Sequence, residues 1–219
     1  MKRLRAGIHV DYALQLLNKG FVCLPLRAGG KHLDLAAMGI EPLHLHTMGK
    51  RLKEAMFTGI TMSLSLKPPG ADDIERWFSE FSGNIGILAG HGNLIVLDFD
   101  CPAAFFRWRK SHTELVSRTP VAQTPGGFHV YLRSTQPTVT SSLYGGLRKA
   151  GHIKALSGYV VSSPSRLQDG STYSWLPGQS PFDCSPQEVP DLGSLSLYGE
   201  SPLKRVYDRI LKRGYFDHQ

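Results

Sequence analysis

The sequence predicts an α/β fold of the α+β kind, in which short apolar strands are interleaved with amphipathic helices. Three observations predict it. Two apolar runs, Ile85 to Gly90 and Leu94 to Leu97, are separated only by the turn formers His91-Gly92-Asn93. A third extended run, residues 128–133, follows a glycine pair. Apolar residues also recur at helical spacing after Val10 and again after Ile74. At 219 residues the chain is long enough for one sizeable core or two small domains. With 41% hydrophobic and 20% charged residues, the disordered, collagen-like and coiled-coil classes are excluded.

Val10, Ala13, Leu14 and Leu17 share a helical face, Asp11 suits the opening turn, and Gly20 ends the helix. A strand over residues 21–26 then runs into Ala28-Gly29-Gly30-Lys31. This turn can offer backbone amides and an ammonium to phosphate, although it lacks P-loop spacing. Lys31 is therefore a candidate phosphate contact, against the simpler role of a solvated lysine. Residues 32–60 read as irregular, and His44 and His46 lack further ligands at a zinc spacing. After Pro68-Pro69-Gly70, the acids Asp72, Asp73 and Glu75 open a helix whose stripe is Ile74, Trp77, Phe78 and Phe81, with Trp77 as core.

The strand at Leu94 to Leu97 runs straight into Asp98-Phe99-Asp100-Cys101-Pro102. A helix is expected from Ala103 to Val116, with Phe105, Trp108, His112 and Leu115 near one face, followed by the strand over residues 128–133. Past a Ser/Thr-rich connection, Ile153 and Gly158-Tyr159-Val160-Val161 mark the last major strands, and Thr172 to Trp175 a return strand. Residues 177–190 are rich in turn formers and read as a boundary or linker. Ser201-Pro202 then caps a helix carrying Leu203, Val206, Tyr207, Ile210 and Leu211. The expected division is a body over residues 1–176, with a linker and basic amphipathic C-terminal helix over 177–219 docked on it.

The net charge of +7 is unevenly spread. Residues 104–160 carry eight basic side chains against Glu114 alone, whereas residues 61–103 carry two against six acids. An acidic site set between basic segments suits a polyanionic partner and locally held cations; a solvated basic face is the plainer alternative. No apolar stretch reaches the roughly 18 residues of a membrane span, and the N-terminus lacks a signal-peptide core. Cys23, Cys101 and Cys184 are too few and too dispersed for a disulfide framework or a CxxC zinc site. A reducing, cytoplasmic setting without membrane contact is expected.

Asp98 and Asp100 lie two apart at a strand end, so both carboxylates can face one way while Phe99 packs behind. Such a pair can hold Mg²⁺ or Mn²⁺ beside a nucleoside triphosphate, or be merely two solvated acids. In Thr124-Pro125-Gly126-Gly127-Phe128-His129-Val130-Tyr131 the glycines permit close backbone approach, and His129 faces with Tyr131. His129 is a candidate phosphate donor or a structural histidine. His152 and Lys154 share a strand face, with Lys154 a candidate phosphate contact. Ser165 is a candidate hydrogen-bond donor, and Tyr173 and Trp175 line a base or sugar or, more simply, pack in the core.

The succession LIVLDFD, TPGGFHVYL and IKALSGYVVSSPSRLQDGSTYSW resembles the bifunctional DNA primase/polymerase N-terminal domain of the archaeo-eukaryotic primase superfamily, often borne by plasmids, phages and other mobile elements. GFVCLPLRAGGKH and IERWFSEFSGNIGILAG resemble its upstream pattern, and the likeness covers roughly residues 10–176. It implies a primase-like fold with a mixed sheet and an RNA-recognition-motif-like catalytic half. It also implies Asp98 and Asp100 as metal ligands and His129 as the contact to the incoming triphosphate. The family usually has a third metal-binding acid where this chain has His152. Histidine is a poor Mg²⁺ ligand but an acceptable Mn²⁺ ligand, so catalysis is expected to be weakened, metal-shifted or absent. Asp169 is a substitute only if its turn returns to the site. The proline usual after the GGK-like segment is also missing.

The function expected is template-directed nucleotidyl transfer on single-stranded DNA, with nucleoside triphosphates, Mg²⁺ or Mn²⁺, and a separately encoded replicative helicase as partner. The alternative is a degenerate primase-fold module that binds nucleic acid or nucleotide without polymerising. Phosphodiester hydrolysis uses similar metal chemistry with water as nucleophile.

Overall fold

A computed structural model describes residues 3–41, 47–145 and 147–198. His44, His46 and the expected helix after Ser201 lie outside these residues. The chain begins with helix α1 (Arg3–Asn18) and strand β1 (Cys23–Leu26), followed by α2 (Lys50–Leu66), α3 (Ala71–Phe78) and β2 (Asn84–Leu88). Next come β3 (Leu94–Phe99), α4 (Pro102–Ser111), α5 (Thr113–Ser117), β4 (Val121–Gln123) and β5 (Phe128–Ser134). Then follow β6 (Ser141–Gly145), β7 (Arg148–Lys154), β8 (Tyr159–Val161), β9 (Ser174–Trp175), β10 (Gln187–Val189) and β11 (Leu197–Tyr198).

The strands form two sheets. The larger, eight-stranded sheet runs β11-β6-β7-β3-β5-β4-β9, with β10 added along β5; the smaller runs β1-β2-β8. All pairings are antiparallel except β10 with β5, so the large sheet is mixed. Its centre is β3, where strict alternation sorts the side chains. Ile95, Leu97 and Phe99 enter a core shared with Phe105 and Trp108 of α4. Leu94 and Val96 point the other way, into a second core with the small sheet, α1 and α3. The same alternation on β5 sends Phe128, Val130 and Leu132 to the first core and Tyr131 to the second. Each such burial stabilises the fold by roughly 1.5–3 kcal/mol.

The helices start where their sequence dictates. Gly70 N–H donates to Asp73 Oδ2 at 3.2 Å, using an acid of the first turn of α3. Pro102 opens α4 and the Cys101 sulfur accepts from Ala104 N–H. The helix expected over 103–116 is two helices, because the backbone at His112 leaves helical geometry at φ −133°, ψ 34°. There the imidazole stacks on Trp108 at 4.8 Å.

Three stretches differ from the sequence reading. Residues 32–60 read as irregular, but Lys50–Leu66 is α2. Its only fully buried residues are Thr61 and Ser65, whose hydroxyls donate to the carbonyls of Ser157 at 2.7 Å and Ala89 at 3.1 Å. Met56, Phe57, Ile60 and Leu64 pack beside them, partly buried, at helical spacing, while Leu52 and Leu66 stay exposed, so Thr and Ser interrupt the apolar stripe of this helix. The Ser/Thr-rich connection contains β6, which buries only Leu143. Within the stretch assigned to a linker, Gln187–Val189 pairs with β5, and beyond it β11 pairs with β6.

Candidate functional site

The register of β3 builds the site. Asp98 stands opposite His129 on β5 and opposite His152 on β7, so one carboxylate is flanked by two imidazoles on the face turned toward the small sheet. Two glycines let the neighbouring strands close on this point. A Cβ on Gly127 would collide with the Phe99 carbonyl, and one on Gly151 with the Asp98 carbonyl. Asp100 follows the strand end, its N–H donating to Ala150 O at 3.0 Å.

Each carboxylate is paired. His129 Nε2 lies 3.3 Å from Asp98 Oδ1, and His152 Nδ1 lies 3.4 Å from Asp100 Oδ2. Lys149 Nζ, which can only donate, is 3.0 Å from His152 Nε2. That contact places the imidazole proton on Nδ1, facing Asp100. Burial alone would raise the Asp98 carboxyl. The hydrogen bond from His129 and the nearby charges of His129 and Lys154 outweigh it and hold Asp98 below the usual carboxylate range. Tyr173, whose ring centroid is 5.9 Å from that of His129, is pushed up to about 12 by burial and by the Asp98 and Asp169 charges.

Asp98, Asp100 and His152 each offer a ligand atom, all within 4.8 Å of one another. Two carboxylate oxygens and one imidazole nitrogen fit a divalent cation, with Mn²⁺ better matched than Mg²⁺ to the nitrogen. His152 would give its Nδ1 lone pair only when Lys149 lets go of Nε2.

The two carboxylates open into a cleft of about 400 Å³ between the two sheets. Asp98, Asp100, His129 and Lys154 line it from the large sheet, Tyr159 from the small one, and Lys31 from the turn after β1. Tyr159 Oη donates to the Lys31 carbonyl at 3.1 Å and so ties that turn to the cleft wall. His129 is nearly enclosed at 4% exposure, and its Nδ1 is buried without a partner. A phosphate would meet it through Nε2, now on Asp98.

A sequence model describing the bifunctional DNA primase/polymerase N-terminal domain matches residues 13–192. The chain belongs to that family. No curated protein compared with it matches. This primase/polymerase domain has His152, a neutral ligand, in the cluster position where the family resemblance leads one to expect a third acid.

The remaining residues singled out from sequence fall elsewhere. Ser165 is 4% exposed and its hydroxyl bonds both the N–H and the carbonyl of Ile85, so it serves β2 rather than the cleft. Asp169 accepts from Ser171 N–H and Oγ in an exposed turn and does not replace the third acid. Trp175 donates to Tyr12 Oη at 2.8 Å and packs against the core, as does Trp77. Tyr173 does line the cleft.

Lys149 was not legible. Three residues from His152 on a regular strand, it would face the opposite way. The β6–β7 register slips at Leu143/Tyr144, leaving Ala150 unpaired, and this bulge restores Lys149 to the His152 side. Thr124 Oγ1, which accepts from Gly126 and Gly127 N–H and shapes the glycine turn, also lines the cleft.

Proposed function

We propose that this domain carries out template-directed nucleotidyl transfer on single-stranded DNA, using nucleoside triphosphates and Mg²⁺ or Mn²⁺. The observation that carries the reading is the cluster of Asp98, Asp100 and His152, whose two carboxylates line a cleft that also holds His129, Lys31 and Lys154. In the transfer, a 3′-hydroxyl oxygen bonds to the α-phosphorus of the incoming nucleotide, the α–β phosphoanhydride bond breaks, and pyrophosphate and a proton leave. A bound divalent cation supplies charge neutralisation and lowers the hydroxyl's pKa. The chain's own residues position and balance charge: Asp98 and Asp100 hold the cation, and Lys31 and Lys154 face the polyphosphate. His129 keeps Asp98 ionised and is the imidazole nearest the nucleotide. In this reading β3, β5, β7 and α4 make the RNA-recognition-motif-like half, and a separate replicative helicase in the cytoplasm is the partner.

Purified protein is expected to incorporate labelled nucleotides on single-stranded DNA, more readily with Mn²⁺ than with Mg²⁺. Asp98→Ala combined with Asp100→Ala should abolish incorporation while the circular dichroism spectrum is kept. Unchanged activity in that variant would overturn the assignment.

One observation favours a second reading. His152 brings no negative charge and is held by Lys149. A degenerate module would bind DNA in a salt-sensitive way yet yield no product in a metal screen.

A further inference from the structure

On the opposite side of β3 from the cleft, a second cavity of about 430 Å³ opens between α4 and the β6–β7 hairpin. Phe99, Trp108 and Leu197 form its floor, and Arg107, Arg148 and Lys149 its rim. The space exists because the facing walls carry small residues, Ala104 on α4 and Ala150 at the bulge. Among the described residues no carboxylate lines it. Arg107 and Arg148 are exposed and make no ion pair among the described residues.

We propose that this cavity is a second nucleotide site, which takes a nucleoside phosphate with its base on the apolar floor and its phosphates on Arg107 and Arg148 at the rim. Arg107 and Arg148 stand at this opening with no ion-pair partner among the described residues, and an anion would neutralise them. Guanidinium groups match phosphate oxygens in a fork geometry. An inorganic anion would leave the apolar floor unused, and a neutral apolar ligand would leave the rim unused. A base joined to phosphate uses both, and the volume suits a ligand of that size.

The position supports the same class. Phe99 lines both cavities, and Asp100 of the cleft and Cys101 of this cavity are consecutive at the end of β3. The rim residue Lys149 reaches His152 at 3.0 Å. A nucleotide held here therefore sits beside the acid cluster, either free or as the terminal nucleotide of a strand. The choice of nucleotides over other anionic aromatics rests on the proposed function of the cleft; the cavity itself does not.

The test uses Cys101, which is exposed and lines the cavity, whereas Cys23 is buried and Cys184 is partly buried and serves as the internal reference. The full chain is alkylated in EDTA, and modification of each cysteine is followed by mass spectrometry. The probes are adenosine 5′-triphosphate, a short 5′-phosphorylated oligodeoxynucleotide and inorganic triphosphate. Adenosine triphosphate or the oligonucleotide should slow alkylation of Cys101 but not of Cys184, and whichever acts at lower concentration identifies the source. Arg107→Ala with Arg148→Ala, both on the surface, should raise the half-protecting concentration about tenfold.

Asp98→Asn with Asp100→Asn should protect as wild type does, even if it makes no product, which separates this inference from the activity of the cleft. Protection by neither nucleotide probe would overturn it. So would equal protection by inorganic triphosphate, an unaffected arginine double variant, or loss of protection in Lys154→Ala, which would place the only site in the cleft.

Discussion

His152→Asp is the most informative perturbation of the acid cluster. The nitrogen that faces Asp100 at 3.4 Å is Nδ1, bonded to Cγ as a carboxylate oxygen of aspartate is, so an oxygen of the substituted side chain would occupy nearly the same place. The change adds one negative charge without asking the backbone to move. His152 and Asp100 are 38% and 54% exposed, so screening is close to that of water. Two unit charges about 4 Å apart in water interact by about 1 kcal/mol, and a divalent ion doubles this to about 2 kcal/mol, or roughly thirtyfold in affinity. Lys149 would pair with the new carboxylate and return part of the gain, leaving about tenfold to thirtyfold for Mg²⁺. Isothermal titration calorimetry of Mg²⁺ and Mn²⁺ on wild type, His152→Asp and His152→Asn separates charge from shape. The aspartate should gain Mg²⁺ affinity and narrow the preference for Mn²⁺, while the asparagine should gain little. A folded His152→Asp protein that binds Mg²⁺ no better than His152→Asn would refute a metal position at His152.

Gly151→Ala would drive a methyl group into the Asp98 carbonyl. A loss of about 1–3 kcal/mol in urea unfolding is expected, with weaker metal binding because β7 is forced from β3. Gly59→Ala, exposed in α2 with nothing near its added Cβ, should instead gain roughly 0.5–1 kcal/mol; equal effects at the two sites would deny the close approach. Acid dependence should report on Asp98, whose carboxyl is lowered from 3.8 in the folded protein. Its contribution is complete above the unfolded value and is lost as pH falls through the lower folded value, because the unfolded chain binds the proton first. Stability of wild type relative to Asp98→Asn should therefore fall from about pH 5 to pH 2, and a difference independent of pH in that window would contradict the pairing with His129.

Residue alternation made much of the site legible before any tertiary contact was known. In an antiparallel sheet the period of two leaves Asp98 on the face opposite Phe99, His129 opposite Phe128, and His152 with Lys154 opposite Ile153, wherever those strands pair. The Gly126-Gly127 pair already signalled close backbone approach, and the order of the motifs pointed to the family. Tertiary structure alone decided which strands became neighbours. Pairing of β3 with both β5 and β7 set two histidines around one aspartate, and no local pattern encodes a partner 31 or 54 residues away. It also decided parity at the bulge, which turned Lys149 toward His152, and it withdrew Ser165 into a bond with β2. The helix α2 is a different case. Met56, Phe57, Ile60 and Leu64 give it a helical apolar face that was there in the sequence, but its most buried positions are Thr61 and Ser65, whose hydroxyls meet the carbonyls of Ser157 and Ala89, and these polar positions dilute the pattern.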